Sequence, residues 1–212
     1  MFRIRIQNKK KCIWYCSAVV SFLLFLLLLG WTNHLANTQD AQQMAGRWSE
    51  KKDVAQISCF FSSKAEVTED TIQSFEYSLK NVLQEASITE TSENPSARLW
   101  VDAYSADGKI TLVNGKNTLD ANAIGIGGDF FMFHPLKLIT GAYFSGNDLM
   151  QDYCIIDQDA AWQLFGSNDV VGMTVYISNV PHIVTGVVQR PDSRMDKAAG
   201  LNSTVVYVSY ET

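Results

Sequence analysis

The stretch GGDFFMFHPLKLITGAYFSGNDL, residues 127–149, contains residue types that could bind a nucleotide or a small ligand. The preceding IGIGG places Gly125 and Gly127 in a G-x-G order, and a dinucleotide fingerprint needs such glycines where the backbone approaches a pyrophosphate. That pattern requires a third small residue where this chain has Phe130. The two Gly-Lys pairs of the chain also lack the Ser or Thr of a P-loop. We therefore expect no nucleotide site and no cofactor.

Nucleophilic catalysis would require a histidine beside a Ser or Cys, together with a third group that orients the histidine. The chain has three histidines, His34, His134 and His182. His34 lies at the end of an apolar run, His134 precedes a proline, and His182 lies in an alternating segment. We expect each to be a structural histidine, and we predict no catalytic residue.

Metal binding finds no support in the spacing of possible ligands, because the chain has neither a C-x-x-C nor an H-x-x-x-H motif. The densest acidic segment is DLMQDYCIIDQD, residues 148–159, and it lacks the D-x-D-x-D-G order of a calcium loop. Helix capping accounts for two of its carboxylates, so we predict no metal site.

The four cysteines divide by location. Cys12 and Cys16 lie in the apolar N-terminal run, whereas Cys59 and Cys154 lie in segments that read as buried strands. Burial is the favoured interpretation for both of these, and a disulfide between them is an open alternative for an exported domain.

The N-terminus predicts a membrane helix. Residues 12–31, CIWYCSAVVSFLLFLLLLGW, carry no charge, and about 20 residues span a hydrocarbon core of about 30 Å. Residues 1–11 form a basic arm without an acidic residue. This predicts a single-pass protein of the plasma membrane, with a cytoplasmic N-terminus and an extracytoplasmic C-terminal part. A cleaved signal peptide is the alternative, but its apolar region is usually about 7–15 residues long and ends in a small-x-small site.

The charge of the remaining chain argues against nucleic acid as a partner. Five of the 17 basic residues lie in the arm, which leaves 12 basic residues against all 22 acidic residues and a net charge of about −10. A nucleic-acid-binding domain needs the opposite sign.

Periodicity predicts the first elements beyond a stalk or helix extension at residues 32–53. Residues 54–62, VAQISCFFS, read as a strand, and residues 68–86 read as an amphipathic helix that begins at Thr68. Residues 97–127 predict an antiparallel meander with turns at Ala106–Gly108 and Asn114–Gly115, because Asp-Gly and Asn-Gly suit type I′ turns.

Alternation and caps predict the second half. In residues 127–149 we expect a short turn that Asp129 caps and Pro135 ends, a second helical start at Ser145–Asp148, and aromatic side chains packed in a core rather than exposed to a ligand. A strand at 153–157 then meets a helix at 158–166, capped by Asp157 or Asp159 and ended by Gly166. Further along, we predict a hairpin at 173–189 around Asn179–Val180, a polar loop at 190–203 and a strand at 204–210.

Two phenylalanines, Phe131 and Phe165, are the expected anchors of the core. Together the predicted elements indicate a strand-rich α+β fold.

Four of these segments together resemble the MacB-like periplasmic core domain of FtsX/MacB-type ABC transporter permeases. They are the D-F-F of Asp129–Phe131, the L-x-x-G-x-x-F of Leu138–Phe144, the A-x-x-L-F-G of Ala161–Gly166, and the D-x-V-G-x-x-V-x-I-x-x-x-P run that continues from Asp169 to Val188. The resemblance covers about residues 50–212 and, with the membrane helix before it, implies an ectodomain at residues 54–212. It also implies two lobes, with residues 127–149 as the connector between them. One departure is Asn179–Val180, because a β-branched residue resists positive φ and a different turn type is expected there.

The resemblance implies a function. It describes a non-catalytic permease ectodomain that couples a cytoplasmic ABC ATPase subunit to extracytoplasmic substrate or partner handling, beside other permease segments or a second permease copy and membrane lipid. Such permeases have further membrane helices after the ectodomain, and this sequence has none, so we expect no transport by this polypeptide alone. It is a fragment of a longer permease, a split gene product, or a free-standing single-pass sensor or binding module with the same fold; the sequence leaves these open.

Overall fold

A computed structural model describes residues 2–37, 43–48, 54–89, 98–146, 148–190 and 203–212. The chain divides into two compact units, Met1–Gln56 and Ile57–Thr212. The first unit contains helix α1, Phe2–Asn37, and the short helix α2, Met44–Trp48.

Helix α1 contains the segment that the sequence predicts to cross a membrane. Residues Ile13–Leu35 have a mean hydropathy of 2.3, and none of this stretch is buried within the protein. The 23 residues are long enough for a hydrocarbon core of about 30 Å. A membrane anchor and a signal sequence both meet this criterion of length and hydropathy.

The second unit is α+β, as the sequence predicts. Its helices are α3 (Glu69–Glu85), α4 (Phe130–Phe133) and α5 (Gln158–Phe165). Its strands are β1 (Ala103–Asn114), β2 (Asn117–Gly128), β3 (Leu138–Gly141), β4 (Tyr153–Asp157), β5 (Thr174–Ile177), β6 (Val180–Val188) and β7 (Val205–Ser209).

The seven strands form one mixed sheet in the order β3-β6-β4-β7-β2-β1-β5. Strand β2 pairs in parallel with β7, and β4 pairs in parallel with β6, whereas β4 and β7 are antiparallel. Because β5 pairs with both β1 and β6, six of the strands close into a ring of pairings. Strand β3 lies outside the ring, paired with the last residues of β6.

Alternate residues of the central strands enter two separate hydrophobic clusters. Along β4, Cys154 and Ile156 belong to the larger cluster and Ile155 to the smaller one. Since successive strand residues point to opposite faces, the two clusters lie on opposite faces of the sheet. The larger cluster includes Ala160, Ala161 and Leu164 of α5, and the smaller includes Phe130 and Phe144. Helix α5 therefore covers one face, and segment 130–144 covers the other.

Helix α5 begins and ends as the sequence predicts. The carboxylate of Asp157 accepts a hydrogen bond from the backbone N–H of Ala160 at 2.8 Å, which selects Asp157 over Asp159 as the N-cap. Gly166 closes the helix in the left-handed conformation with φ +74°.

The predicted meander is one long hairpin. Strand β1 continues through Asp107 and Gly108 in register with β2, so the predicted Asp-Gly turn is wrong. Twelve consecutive cross-strand pairs outweigh the local preference of Asp-Gly for a turn. The remaining turn lies one residue later than predicted, at Gly115 and Lys116, with Gly115 at φ +60°.

The second hairpin turn lies one residue earlier than predicted. Ile177 pairs with Val180, so the central residues of the turn are Ser178 and Asn179. Both have positive φ, +48° and +68°, as a type I′ turn requires. Val180 is thus a strand residue, and the turn avoids the β-branched position that led us to expect a different turn type.

The first predicted strand is absent, although the helix after it is present. Residues 54–62 form neither helix nor strand and pair with no strand in the described part of the chain, and Phe60 is 94% exposed. Helix α3 has the predicted N-cap, since Thr68 accepts from the N–H of Thr71 at 3.3 Å. None of its residues is fully buried, and on the predicted apolar face Ile72, Leu79 and Leu83 are half-buried while Phe75 and Val82 are exposed.

Residues 127–149 belong to the single sheet through β3 and contribute Phe130 and Phe144 to its smaller cluster. The predicted role of this stretch as a connector between two lobes is not seen in the described residues. The predicted helical start near Ser145 is a turn instead, in which Asp148 accepts from the N–H of Ser145 at 2.9 Å. The polar loop expected at 190–203 lies almost wholly outside the described residues.

Candidate functional site

The aromatic residues of segment 130–144 form a packed group under the sheet. Phe130 and Phe144 are each 6% exposed. Phe131 stacks on Tyr143 with ring centroids 4.4 Å apart and meets Phe144 edge to face at 5.8 Å. The hydroxyl of Tyr143 donates a hydrogen bond to the carbonyl of Leu136, which fixes the outer edge of the group. The prediction of a core rather than an open contact patch is confirmed for this cluster.

The two expected anchors are less buried than two other phenylalanines, and one of them, Phe165, packs against the larger cluster instead. Phe131 and Phe165 are half-buried, whereas Phe130 and Phe144 are buried. Sequence periodicity could not rank neighbouring phenylalanines, because α4 has a single turn and its orientation depends on the sheet that it covers.

Each of the two histidines in the second unit has a defined neighbour. His182 is buried in β6, and its Nδ1 lies 3.1 Å from the carbonyl oxygen of Val180. The ring of His134 stacks on Phe130 with centroids 4.6 Å apart. These contacts are typical of structural histidines.

The two cysteines of the second unit are free and differ in environment. Cys154 is completely buried in β4 as predicted, and burial raises the pKa of its thiol to about 12. Cys59 is exposed, so its predicted burial is wrong, and the alternative disulfide between them does not form. The thiolate is the reactive form, and Cys154 is therefore inert at neutral pH.

Asp157 joins four segments at a buried ionic contact. Besides capping α5, its carboxylate accepts from the Nε of Arg190 at 3.0 Å and from the N–H of Val205 at 3.1 Å. The guanidinium of Arg190 also bonds Thr204 and forms an ion pair with Asp159 at 2.7 Å. The contact thereby ties the ends of β4 and β6 and the start of β7 to the start of α5. It is a closed structural contact, since the buried carboxylate has an ionic partner and two backbone donors.

Four carboxyl groups lie near Tyr104, those of Glu69, Glu76, Asp102 and Glu211. Glu211 is the first cause that raises the pKa of Glu69, and burial, followed by the charge of Asp102, raises the pKa of Glu76 to about 7. Burial, and then the charges of these four acids, raise the pKa of the Tyr104 hydroxyl to about 12.

Gly127 makes room for this arrangement on the sheet. It lies opposite Tyr104 in the β1–β2 register, and a Cβ at Gly127 would overlap the tyrosine ring. The tyrosine ring also meets Tyr210 edge to face at 5.1 Å. The glycine that resembled a nucleotide motif therefore allows close packing of an aromatic ring.

Sequence reasoning missed both of these polar clusters. Their members are distant along the chain, as in the pair of Glu76 with Asp102 or of Asp157 with Arg190, and no local pattern pairs them. The only sequence signal was that Asp157 stands at a helix start. No group of three or more His, Cys, Asp or Glu in the described residues could hold a metal ion.

The protein belongs to the general class in which an apolar helix of membrane-spanning length precedes an α+β domain built on one mixed sheet. The family of the MacB-like periplasmic core domain matches residues 20–212, and the chain belongs to this family. It is a domain of ABC transporter permeases.

Relatives of known name match part of the chain. The macrolide export ATP-binding/permease protein MacB of Chromobacterium violaceum is 32% identical over 96 residues, which are 44% of this chain and 14% of that protein. The protein of the same name from Burkholderia thailandensis is 28% identical over 120 residues, 54% of this chain and 18% of that protein. The matched part of this chain thus spans less than a fifth of the length of either relative.

Two solved structures also match part of the chain. The periplasmic region of MacB from Actinobacillus actinomycetemcomitans has a TM-score of 0.42 at 26% identity, covering 55% of this chain and 52% of that one. The extracellular domain of the noncanonic ABC-type transporter YknZ from Gram-positive bacteria has a TM-score of 0.42 at 22% identity, covering 51% of this chain and 54% of that one.

Proposed function

We propose that this chain is the membrane-anchored ectodomain portion of an ABC transporter permease, which couples a cytoplasmic ATPase to the handling of a substrate or partner outside the cytoplasm. The family match over residues 20–212, with an apolar helix at its start, carries this proposal. In this proposal, residues 1–11 are a cytoplasmic arm and residues 12–31 cross the membrane. Residues 32–53 form a stalk or helix extension, and residues 54–212 form the ectodomain.

The orientation follows from charge. The basic arm contains five Lys and Arg residues and no acidic residue, so the positive-inside rule keeps it in the cytoplasm. The ectodomain is acidic and has its own core, as befits a domain in water. Its partners are then a cytoplasmic ABC ATPase, other permease segments or a second permease copy, and lipid around α1.

Cys59 offers a direct test of orientation, because its thiol is exposed while that of Cys154 is buried. Spheroplasts are treated with a membrane-impermeant maleimide before and after lysis, and Cys59→Ser serves as the matched control for labelling at Cys16 or Cys12. We expect full labelling of Cys59 in intact spheroplasts. Labelling that requires lysis would contradict the proposed orientation.

The proposal assigns no catalysis to this chain, and its ATP-related role is coupling. Phosphoryl transfer needs backbone amides around the phosphates, a lysine that reaches them, and a carboxylate or hydroxyl that holds Mg²⁺, and no sequence segment supplies this set. The full 212-residue chain should therefore show no saturable ATP binding at micromolar concentrations in equilibrium dialysis. Saturable binding in that range would overturn the non-catalytic assignment.

A further inference from the structure

The N-terminal flank of α1 concentrates positive charge beside the apolar run. It contains no acidic residue and five basic ones, which are Arg3, Arg5, Lys9, Lys10 and Lys11. The three lysines are consecutive and stand directly before the uncharged residues 12–31. Helix α1 continues without a break from Phe2 to Asn37, so the charged flank and the apolar run share one helix axis. The backbone positions of the lysines along this axis are therefore set by the helix.

The other flank of the apolar run has a different charge. Between Trp31 and Gly46 the sequence contains neither Lys nor Arg, and its one acidic residue is Asp40. The last turn of α1 contributes only His34 as a basic residue. The two ends of the apolar helix thus differ by about five positive charges.

Aromatic residues mark the two ends of the apolar run. Trp14 and Tyr15 lie at its start and Trp31 at its end, with exposed fractions of 77%, 73% and 65%. The rise from Trp14 to Trp31 is about 25 Å at about 1.5 Å per residue, close to the hydrocarbon thickness of about 30 Å. Since Trp and Tyr favour the level of the lipid headgroups, these rings indicate where α1 meets each surface of a bilayer.

The three lysines lie at the height of lipid phosphates when Trp14 is at the interface. Lys11 and Lys9 precede Trp14 by about 4.5 Å and 7.5 Å along the helix axis. The headgroup layer of one leaflet is about 5–8 Å thick, so this range matches it. Arg5 lies about 6 Å farther out, still within the screening length of about 8 Å at physiological ionic strength.

We propose that the basic flank of α1 binds the headgroups of anionic phospholipids and enriches them around this end of the helix alone. The proposal rests on the membrane span assigned under the proposed function, and it adds a lipid class and one leaflet to it. The ligand is a headgroup whose phosphate charge is not balanced by an ammonium group, as in phosphatidylglycerol. Lys ammonium groups bind such phosphates as point charges. The first turn of α1 has no acidic residue that would oppose an anion at the positive end of the helix.

The test measures lipid preference in the full chain, in nanodiscs of phosphatidylcholine with a minor fraction of phosphatidylglycerol. Trp31→Phe and Trp48→Phe leave Trp14 as the tryptophan of the apolar helix, while Trp100 and Trp162 of the second unit give a constant background. Bromine atoms on lipid chains quench tryptophan on contact, so quenching by brominated phosphatidylglycerol is compared with quenching by brominated phosphatidylcholine at the same mole fraction. One Lys near an anionic surface contributes a factor of about five, so we expect a preference for phosphatidylglycerol of about five-fold or more. Added salt should reduce it.

Charge variants identify the residues that create the preference. Replacing Lys9–Lys11 by Gln should remove most of it. The matched control is Lys64→Gln with Lys80→Gln and Lys116→Gln, which removes the same charge from exposed positions of the second unit and should leave the preference unchanged.

The opposite end of the helix gives a control within the same protein. With Trp14→Phe and Trp48→Phe, Trp31 is the reporter, and we expect the two brominated lipids to quench it equally. A phosphatidylglycerol preference at Trp31 as large as that at Trp14 would overturn the restriction to one end.

Three other results would also overturn the lipid site. They are equal quenching of Trp14 by both lipids, an undiminished preference after replacement of Lys9–Lys11, and loss of the preference when inorganic phosphate replaces chloride at constant ionic strength. The last result would show that the flank binds phosphate ions rather than lipid headgroups. Absence of quenching by either lipid would contradict the membrane span as well, which separates failure of the anchor from failure of the lipid site.

Discussion

Replacing Asp157 by Ala should destabilise the ectodomain more than any other single change to a charged residue in its described part. The side chain is 3% exposed and serves three segments at once, because it caps α5, pairs with Arg190 and accepts from the N–H of Val205. Removing one partner of a buried ion pair costs about 3–5 kcal/mol. Arg190 is 18% exposed and keeps Asp159, so about 3 kcal/mol, at the low end of that range, applies to this contact.

Loss of the N-cap adds about 1 kcal/mol to the cost of Asp157→Ala. The total of roughly 4 kcal/mol corresponds to a fall in melting temperature of about 8–16 °C for a domain of this size. Asp157→Asn retains a capping side chain but loses the charge, so we expect about 2 kcal/mol. Asp159→Asn, which removes only the half-exposed partner, should cost less than about 1 kcal/mol.

Thermal unfolding of the full chain in detergent, followed by near-UV circular dichroism, measures all three variants under one condition. Asp159→Asn is the matched control, because it faces the same arginine from the surface. The order Asp157→Ala, Asp157→Asn, Asp159→Asn supports the reasoning. A melting temperature of Asp157→Ala equal to that of Asp159→Asn would refute it.

Three further predictions concern the core, a turn and a thiol. Phe144→Ala should lower the free energy of unfolding by about 3–5 kcal/mol, and by more than Phe165→Ala, because Phe144 is buried and Phe165 is half-buried. Equal costs of the two variants in urea unfolding would contradict the observed packing. Converting Ser178–Asn179 to Asn-Gly should stabilise the domain by up to about 1 kcal/mol, because both positions have positive φ. A loss of stability in urea unfolding would argue against the type I′ turn. Cys154 should resist iodoacetamide at neutral pH in the folded protein, since its thiol pKa is about 12, while Cys59 reacts; mass spectrometry of the peptides compares the two.

Local signals predicted those elements whose ends are set by neighbouring residues. Helix α5 is the clearest example, because Asp157 and Gly166 define its ends through caps within the helix itself. Strand β4 was also predictable, since its five residues have an apolar centre and end at Asp157, the N-cap of the next helix.

Elements that depend on distant partners were not predictable in the same way. The Asp107–Gly108 pair has a strong turn preference, but β2 pairs with it and keeps the strand extended. Residues 54–62 have an apolar strand pattern, and periodicity alone cannot show whether a partner strand is available. Both hairpin turns were placed within one residue, which is the error expected when register is fixed by pairing across the strands.

The two polar clusters lay beyond the reach of sequence patterns for a similar reason. Arg190 meets Asp157 across 33 positions, and Tyr210 meets Val67 across 143. Only the folded chain brings such residues together. The family resemblance, in contrast, rested on motifs spread over the chain from Asp129 to Val188, and the match over residues 20–212 confirms it.

The central claim is that this chain works as part of an ABC permease, and co-isolation with the ATPase tests it most directly. The protein is tagged at its native locus, extracted from membranes in mild detergent and purified through the tag, and ATP hydrolysis and subunit composition are measured on the same sample. We predict that an ABC ATPase, as a separate subunit or on the same polypeptide, is recovered with permease segments and hydrolyses ATP. Recovery of the 212-residue chain without an ABC ATPase and without ATP hydrolysis would contradict the account and favour a free-standing sensor or binding module.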